Sequence, residues 1–403
     1  MPEATSIAED RNARKAVATG FLGWAIDAFD FFVLVFCVSA IAKEFHRSIP
    51  DVALTITASL MTRPIGAFIF GLLADRYGRR PVLIANIAFY TVMEILSGFA
   101  PTYRVFFALR LLYGVGMGGN WGVGASLALE SVPVKWRGFA SGLLQEGYAV
   151  GNGLAALAYF TIFPHFGWRA MFFIGAIPAI LTILLCLSVD ESRAWKEMKT
   201  DGASYRAALF SNWKLFLQLC VIMSAMNFIA HGTQDMYPTF LQRQRGFSAQ
   251  DTSIMTFIGV LGALIGGISM GHFSSIWGRR RTVVTVTLCG LMVIPLWILA
   301  PNKPLLILGG FLMQFVVQGA WGAIPAHINE LSPPQARGFF PGFVYQIGTL
   351  VSSSSAYIEA RIAEKFSYST AMGLMAAFVL LAAAITVGFG PEKRNREFVS
   401  GKP

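Results

Sequence analysis

The chain has 403 residues, 55% of them hydrophobic and 13% charged, with a mean hydropathy of +0.57 and a formal net charge of +10. Soluble globular domains carry about 25% charged residues, so the deficit excludes a soluble protein and points to a polytopic membrane protein. The basic surplus does not indicate nucleic acid, because Lys and Arg fall in short loops between apolar runs, where membrane topology is set.

The first 19 residues are polar and lack an apolar core, so no cleavable signal peptide is expected. Apolar runs of spanning length, about 20 residues each, then fall near 20–42, 52–74, 81–99, 103–129, 138–163 and 168–188. A polar stretch from Val189 to Asn212 separates them from six more, near 213–241, 250–275, 282–300, 304–330, 338–362 and 368–390. The predicted fold is an all-α membrane protein of twelve transmembrane helices in two six-helix pseudo-symmetric halves. Its parts are a tail 1–19, halves 20–188 and 213–390, a central loop 189–212 and a tail 391–403. An even number of spans puts both termini on one side. Of the Lys and Arg residues, 21 lie in the tails and even-numbered loops, nine in the odd-numbered loops, and Arg63 and Arg110 inside spans. Positive-inside then puts the termini and the central loop in the cytoplasm.

Cys37, Cys186, Cys220 and Cys289 lie far apart in apolar runs, with no metal-ligand spacing, and read as small apolar residues. No P-loop or nucleophile elbow occurs. Gly114-x-Gly116-x-Gly118-Gly119 mimics a dinucleotide loop but has no strand before it. Neither an enzyme, a metal nor a cofactor is expected.

The halves are related by a shift of 200 residues: Gly71, Gly78, Arg79, Trp121, Glu130 and Arg137 recur as Gly271, Gly278, Arg279, Trp321, Glu330 and Arg337. Each half starts on the same side, so the repeat is parallel, an architecture that places a substrate site between the halves near the midplane. The seventh span supplies a polar face for it. Asn227, His231 and Asp235 are spaced by four and Gln234 is seven on from Asn227, so all share one side of a helix. Hydrocarbon cannot hydrate such groups, so that face must look into the bundle or a water-filled cavity. Gly232 and Pro238 interrupt the helix beside it.

Gly71-Leu-Leu-Ala-Asp75-Arg76-Tyr-Gly78-Arg79-Arg80 resembles the cytoplasmic loop motif of the major facilitator superfamily. Arg110 to Gly119 in the fourth span resembles its Arg/Gly motif, and Asp190-Glu-Ser-Arg193 its end-of-half motif. The resemblance covers the whole chain. Within the superfamily, Asn227, His231, Thr233, Gln234, Asp235 and Thr239 match a motif of the lactate/pyruvate–proton symporters, which are grouped with bacterial sialate–proton symporters. Ala230 departs from it, since a hydroxyl is expected there.

Arg63, about eleven residues into the second span, costs roughly 2.5–3.5 kcal/mol in hydrocarbon. It reads as a carboxylate clamp, or as the structural partner of Asp27 or Asp30. Those two acids lie three apart on one face of the first span. Close carboxylates in low dielectric favour holding a proton, and Arg110 is their natural counter-ion; the resemblance to proton-coupled sugar members implies the same. His231 with Asp235 is the other proton site. Asn152 and Gln346 are expected to touch substrate, out of a set including Gln145, Glu146, Tyr148, Gln314, Gln318 and Tyr345 that equally suits helix–helix hydrogen bonds. Asp75 and Arg76 look like a gate latch, weaker in the second copy where Ser275 replaces the acid. Gly114 and Gly118 read as packing positions, and Glu94 is left without a role.

The chain therefore reads as a symporter, expected to be a monomer, of small monocarboxylates such as L-lactate or pyruvate with a proton in a bacterial inner membrane. Sialic acid or a dicarboxylate is the alternative cargo. A non-transporting nutrient sensor is the second alternative, for which the short tails and central loop argue poorly.

Overall fold

The computed structural model describes residues 2–197, 207, 209–393 and 397–398. Parts of the expected central loop and of both tails lie outside the described residues. Among those described, every regular element is helical, and the helices form a bundle of two six-span halves. The first span is one helix, Pro2–Glu44, that runs back through most of the polar N-terminal stretch. Spans two, three and four are Ile49–Tyr77, Arg79–Gly98 and Tyr103–Ser131. Spans eight, nine and ten repeat them as Ala249–Trp277, Arg279–Leu299 and Lys303–Leu331, and span twelve is Tyr368–Gly388.

The repeat extends to the caps that start these helices. Ser48 accepts the Asp51 amide at 3.2 Å and Ser248 that of Asp251 at 3.0 Å. Thr102 accepts from the Val105 amide at 3.3 Å and Asn302 from that of Leu305 at 3.1 Å. Each cap satisfies a donor that the first helical turn leaves orphaned. The turns into spans three and nine pivot on Gly78 (φ 108°) and Gly278 (φ 118°), a backbone region that favours glycine. Beyond that turn the Glu191 carboxylate accepts the Arg79 and Arg80 amides, both at 3.0 Å, and Glu392 accepts that of Arg280 at 3.3 Å. An anion at a helix N-terminus is stabilising, which gives the acids that close each half a structural role.

Nine helical segments among the described residues are long and apolar enough to cross a membrane. Spans four, five and eleven fall short for identifiable reasons. Span four carries Arg110 and a run of glycines. Span five breaks at Glu146 into Arg137–Gln145 and Gly147–Thr161. Span eleven breaks at Ser353–Ser354 into Phe340–Ser352 and Ser355–Lys365. Spans six and seven also bend, into Phe163–Ile174 with Ala176–Leu187 and Trp213–Gln234 with Tyr237–Arg243. Large apolar side chains such as Met292 and Phe378 point outward, as a lipid-facing surface requires.

Spans two and four pack backbone to backbone. A Cβ at Gly66 would overlap the Val115 carbonyl, and one at Gly118 the Arg63 carbonyl. Small residues permit that approach where apolar burial alone gives no drive for helices to associate.

Candidate functional site

The halves meet at one face of the bundle, where the N-terminal helix also meets the end of the first half: Lys15 Nζ donates to the Ser188 carbonyl at 3.3 Å and the Asp190 amide to Asn12 Oδ1 at 2.8 Å. At this face Asp75, from the end of span two, accepts the amides of Gly338 and Phe339 at the start of span eleven, at 2.7 and 3.1 Å. The carboxylate also pairs with Arg79 at 2.9 Å, which reaches Glu130 at 3.3 Å. The repeat-related contact is present in weaker form: Ser275 accepts the Gly138 amide at 3.1 Å. Glu330 joins Arg279 at 3.2 Å to Arg137 of the other half at 3.3 Å. Arg76 lies outside this network, over the Tyr77 ring at 5.2 Å. Ser141 accepts from the Ala326 amide at 3.0 Å and donates to the Gly322 carbonyl at 2.7 Å, tying spans five and ten. Phe398 closes the set, its ring 3.7 Å from the Arg137 guanidinium and 3.9 Å from that of Arg337.

Above this latch sits an aromatic floor. Tyr345 stacks on Trp121 at 4.6 Å, with Trp24 and Trp321 each 5.9 Å away, and Trp24 meets Tyr148 at 5.6 Å. Over the floor a cavity of about 640 Å³ lies between spans one, two and five of one half and seven, eight, ten and eleven of the other. Its walls reach Thr57, Met255 and Gly310, in the second and third turns of helices that start at the face remote from the latch. The volume falls in the range typical of small-molecule sites, about 300–1,000 Å³.

Arg63, Asn152, Asn227, His231, Gln234 and Asp235 all line this cavity. Arg63 is 5% exposed; a terminal nitrogen lies 3.1 Å from the Met117 sulfur and the guanidinium lies 5.5 Å from the Phe31 ring. No ion pair to Arg63 occurs among the described residues, although it acts electrostatically on Asp27. Neither a thioether nor a ring face neutralises a guanidinium, so Arg63 keeps charge and donors to offer an anion. Across the cavity His231 Nδ1 lies 3.2 Å from Asp235 Oδ2, both side chains 35% exposed. Span seven ends its regular helix one residue before Asp235 and restarts at Tyr237 with Pro238 in its first turn, which leaves this pair at a helix break. Asn227 Nδ2 donates to the Met223 carbonyl at 2.9 Å while its Oδ1 accepts from Thr349 at 3.3 Å. Gln234 donates to Gln314 at 2.9 Å.

The remaining candidates lie behind the walls. Asp27 is buried with neither carboxylate oxygen hydrogen-bonded, and Asp30 is buried beside it. Arg110 is paired with Glu94, so the acid without a role in the sequence is the direct partner of the span-four arginine. Its guanidinium lies 3.7 Å from the Tyr113 ring centroid. Arg110 still acts on Asp30 electrostatically, which makes Asp30, Glu94 and Arg110 one buried cluster. Gln346 is buried outside the cavity wall, with both amide atoms unpartnered. Sequence reasoning missed Trp24, Thr349 and Glu359, the last a buried, unpartnered acid close to Gly232 behind the His231–Asp235 break. An acid inside an apolar run was the available signal for Glu359; an aromatic or Thr in such a run carries none.

A family model described as Major Facilitator Superfamily matches residues 20–248 and 219–403. The chain is 29% identical to a carboxylic acid transporter protein homolog of Saccharomyces cerevisiae, over 94% of this chain and 68% of that one. It is 28% identical to the sialic acid transporter NanX of Escherichia coli, over 93% and 94%. The fold superposes on the proton:xylose symporter XylE with a TM-score of 0.74 at 17% identity, covering 96% and 98% of the two chains.

Proposed function

We propose that this chain, which belongs to the major facilitator superfamily, is a proton-coupled symporter of small monocarboxylates such as L-lactate or pyruvate, working by alternating access. The observation that carries this reading is Arg63: a buried guanidinium without an ion-pair partner among the described residues, facing a cavity whose opposite wall bears His231, Gln234 and Asp235. A guanidinium matches a carboxylate bidentately. Arg63 binds the substrate carboxylate, while Asn227, His231, Gln234 and Asn152 orient its other oxygens. The similarity to transporters named for carboxylic and sialic acids supports an acid as cargo.

With both termini in the cytoplasm of a bacterial inner membrane, the latch is the inner gate and the cavity opens outward. Substrate anion and proton enter together as a neutral load, so the membrane potential does not oppose uptake. Asp235 with His231, and the cluster around Asp27, Asp30 and Arg110, are the proton acceptors. Release of Asp75 from the span-eleven amides then lets the halves rock around the filled site.

Uptake of a panel of labelled acids into proteoliposomes under an imposed pH gradient tests this. Arg63→Ala is expected to abolish uptake of every acid, and gradient-driven accumulation that survives Asp235→Asn would move the proton site elsewhere. The cavity volume favours one second reading, a larger acid such as sialic acid; competition by sialic acid against labelled lactate separates the two.

A further inference from the structure

Span five breaks at Glu146, and its carboxyl leaves the cavity wall for the seam between the halves. The residue is 1% exposed, and neither carboxyl oxygen has a hydrogen-bond partner. It lies flat against Gly267 of span eight, where an added Cβ would overlap the carboxyl. Gly267 in turn touches Gly142 of span five and Gly322 of span ten. The carboxyl is thus enclosed by elements of both halves, in the zone the latch holds shut.

Among the described residues no counter-charge lies against it. Span one offers Phe21, Trp24 and Ala25 beside Gly147, span eight offers Gly267 and Ile268, span four offers Trp121 to Gln145, and span ten offers Gly322. None is ionisable, and no charged group acts on the carboxyl from any of these elements. The nearest ionisable residue along span ten is His327, five positions toward the latch, buried with neither ring nitrogen hydrogen-bonded. An ionised carboxylate in such a place is costly enough that the group takes a proton instead.

The repeat supplies an independent observation. Glu146 falls on Gln346 under the 200-residue shift. Gln346 is likewise 1% exposed with both amide atoms unpartnered. The fold therefore holds a neutral side chain of nearly the same shape in the equivalent place, and only the copy in the first half titrates.

We infer that Glu146 is a proton-binding site whose occupancy is tied to the seam between spans five and eight: protonated while the latch is closed, ionised when the halves part. Opening the seam separates Glu146 from Gly267 and admits water. The carboxyl O–H bond then breaks, the proton passes to water on the latch side, and the carboxylate left behind resists reclosure until it is reprotonated. This rests on the symport reading for its use, since it gives the cotransported proton an exit on the inner side, but the linkage itself needs no substrate.

The test uses the full-length protein in lipid nanodiscs without substrate, following hydrogen–deuterium exchange between about pH 5 and pH 9 with intrinsic rates corrected. Amides of 138–147 and 264–271 are expected to lose protection at least tenfold as pH rises. Glu146→Gln should hold them protected at all pH values, Glu146→Asp should retain the dependence with a moved midpoint, and His327→Gln should leave it intact. In proteoliposomes Glu146→Gln should keep exchange of labelled for unlabelled acid and lose accumulation driven by the pH gradient. A flat profile in the wild type, an unchanged profile in Glu146→Gln, or full accumulation by that variant overturns the inference. If the wild type moves no acid at all, the symport reading fails, and the exchange profile still decides the role of Glu146.

Discussion

Asp75→Asn is the sharpest perturbation of the latch. In the closed state the Asp75 carboxylate accepts two backbone amides of the opposite half, at 2.7 and 3.1 Å, and is 9% exposed. A hydrogen bond to a charged group contributes about 1.5–3 kcal/mol and a neutral one about 0.5–1.5. Removing the charge from both bonds therefore costs about 2–3 kcal/mol of closure. Arg79 keeps Glu130 and the Ala74 carbonyl, at 3.3 and 2.8 Å, so span three stays anchored and the loss falls on the seam. At about 1.4 kcal/mol per decade this is a 30- to 150-fold shift toward the parted state. Exchange of the Gly338 and Phe339 amides reads the change directly, and their protection should fall by that factor. Ser275→Ala removes one neutral bond across the seam, while Arg279, which also donates to Ser275 at 3.1 Å, keeps Ser274 and Glu330; protection of the Gly138 amide should fall only about fivefold, the loss expected for about 1 kcal/mol. Equal effects at the two positions, or unchanged protection in Asp75→Asn, would refute the assignment of the latch to the acid.

Phe398→Ala removes a ring held between guanidinium groups of the two halves; at about 0.5–1 kcal/mol per cation–π contact, latch-side exchange should rise about five- to thirtyfold. Arg63→Ala should raise the Kd for acids by about 3 kcal/mol or more, over a hundredfold, in a ligand-induced thermal-shift titration, whereas Arg63→Lys keeps the charge and recovers part of the binding. Gly118→Ala forces a methyl group onto the Arg63 carbonyl and should cost about 1–3 kcal/mol, visible as a lower Tm together with weaker acid binding. Gly153→Ala, where nothing lies within 4 Å, should leave Tm unchanged or raise it.

Much of the architecture was legible because hydrocarbon imposes long apolar runs, and because a shift of 200 residues aligns the halves with few insertions. The four-residue spacing of Asn227, His231 and Asp235 was legible for the same kind of reason: helical periodicity converts spacing into a shared face, and all three line the cavity. Pairings between different spans leave no such trace. Glu94 had no role until span three was packed on span four, since nothing in its neighbours along the chain points to Arg110. Gln346 looked like a cavity residue because depth in a span is legible and rotation about its axis is not; the fold turns it away from the cavity wall into the packed bundle. The floor itself was hidden because Trp24 in an apolar run resembles any lipid-facing aromatic.

The same repeat shows where the chemistry is divided. Under the 200-residue shift Asp27 falls on Asn227 and Glu146 on Gln346, so twice an acid in the first half faces its own amide in the second. Asp75 falls on Ser275, Arg63 on Ala263 and Arg110 on Gly310, so the acid that accepts the span-eleven amides and both intramembrane arginines also belong to the first half. The second half contributes His231 and Asp235 at positions where the first has Phe31 and Val35. A carrier that binds an anion and a proton between two halves gains from this arrangement. On the proposed reading, the cavity amides Asn227 and Gln234 would meet substrate oxygens without a desolvation penalty as large as a charge would carry. On the proposed symport reading, acids in the first half would change charge with the opening of the seam, and the amides at the repeat-related positions would not titrate with them. Gln346 is as buried as Glu146, and a carboxylate there would be ionised only at a high desolvation cost, so replacing Gln346 with Glu should weaken closure at high pH and leave it intact at low pH, with latch-side amide exchange as the readout.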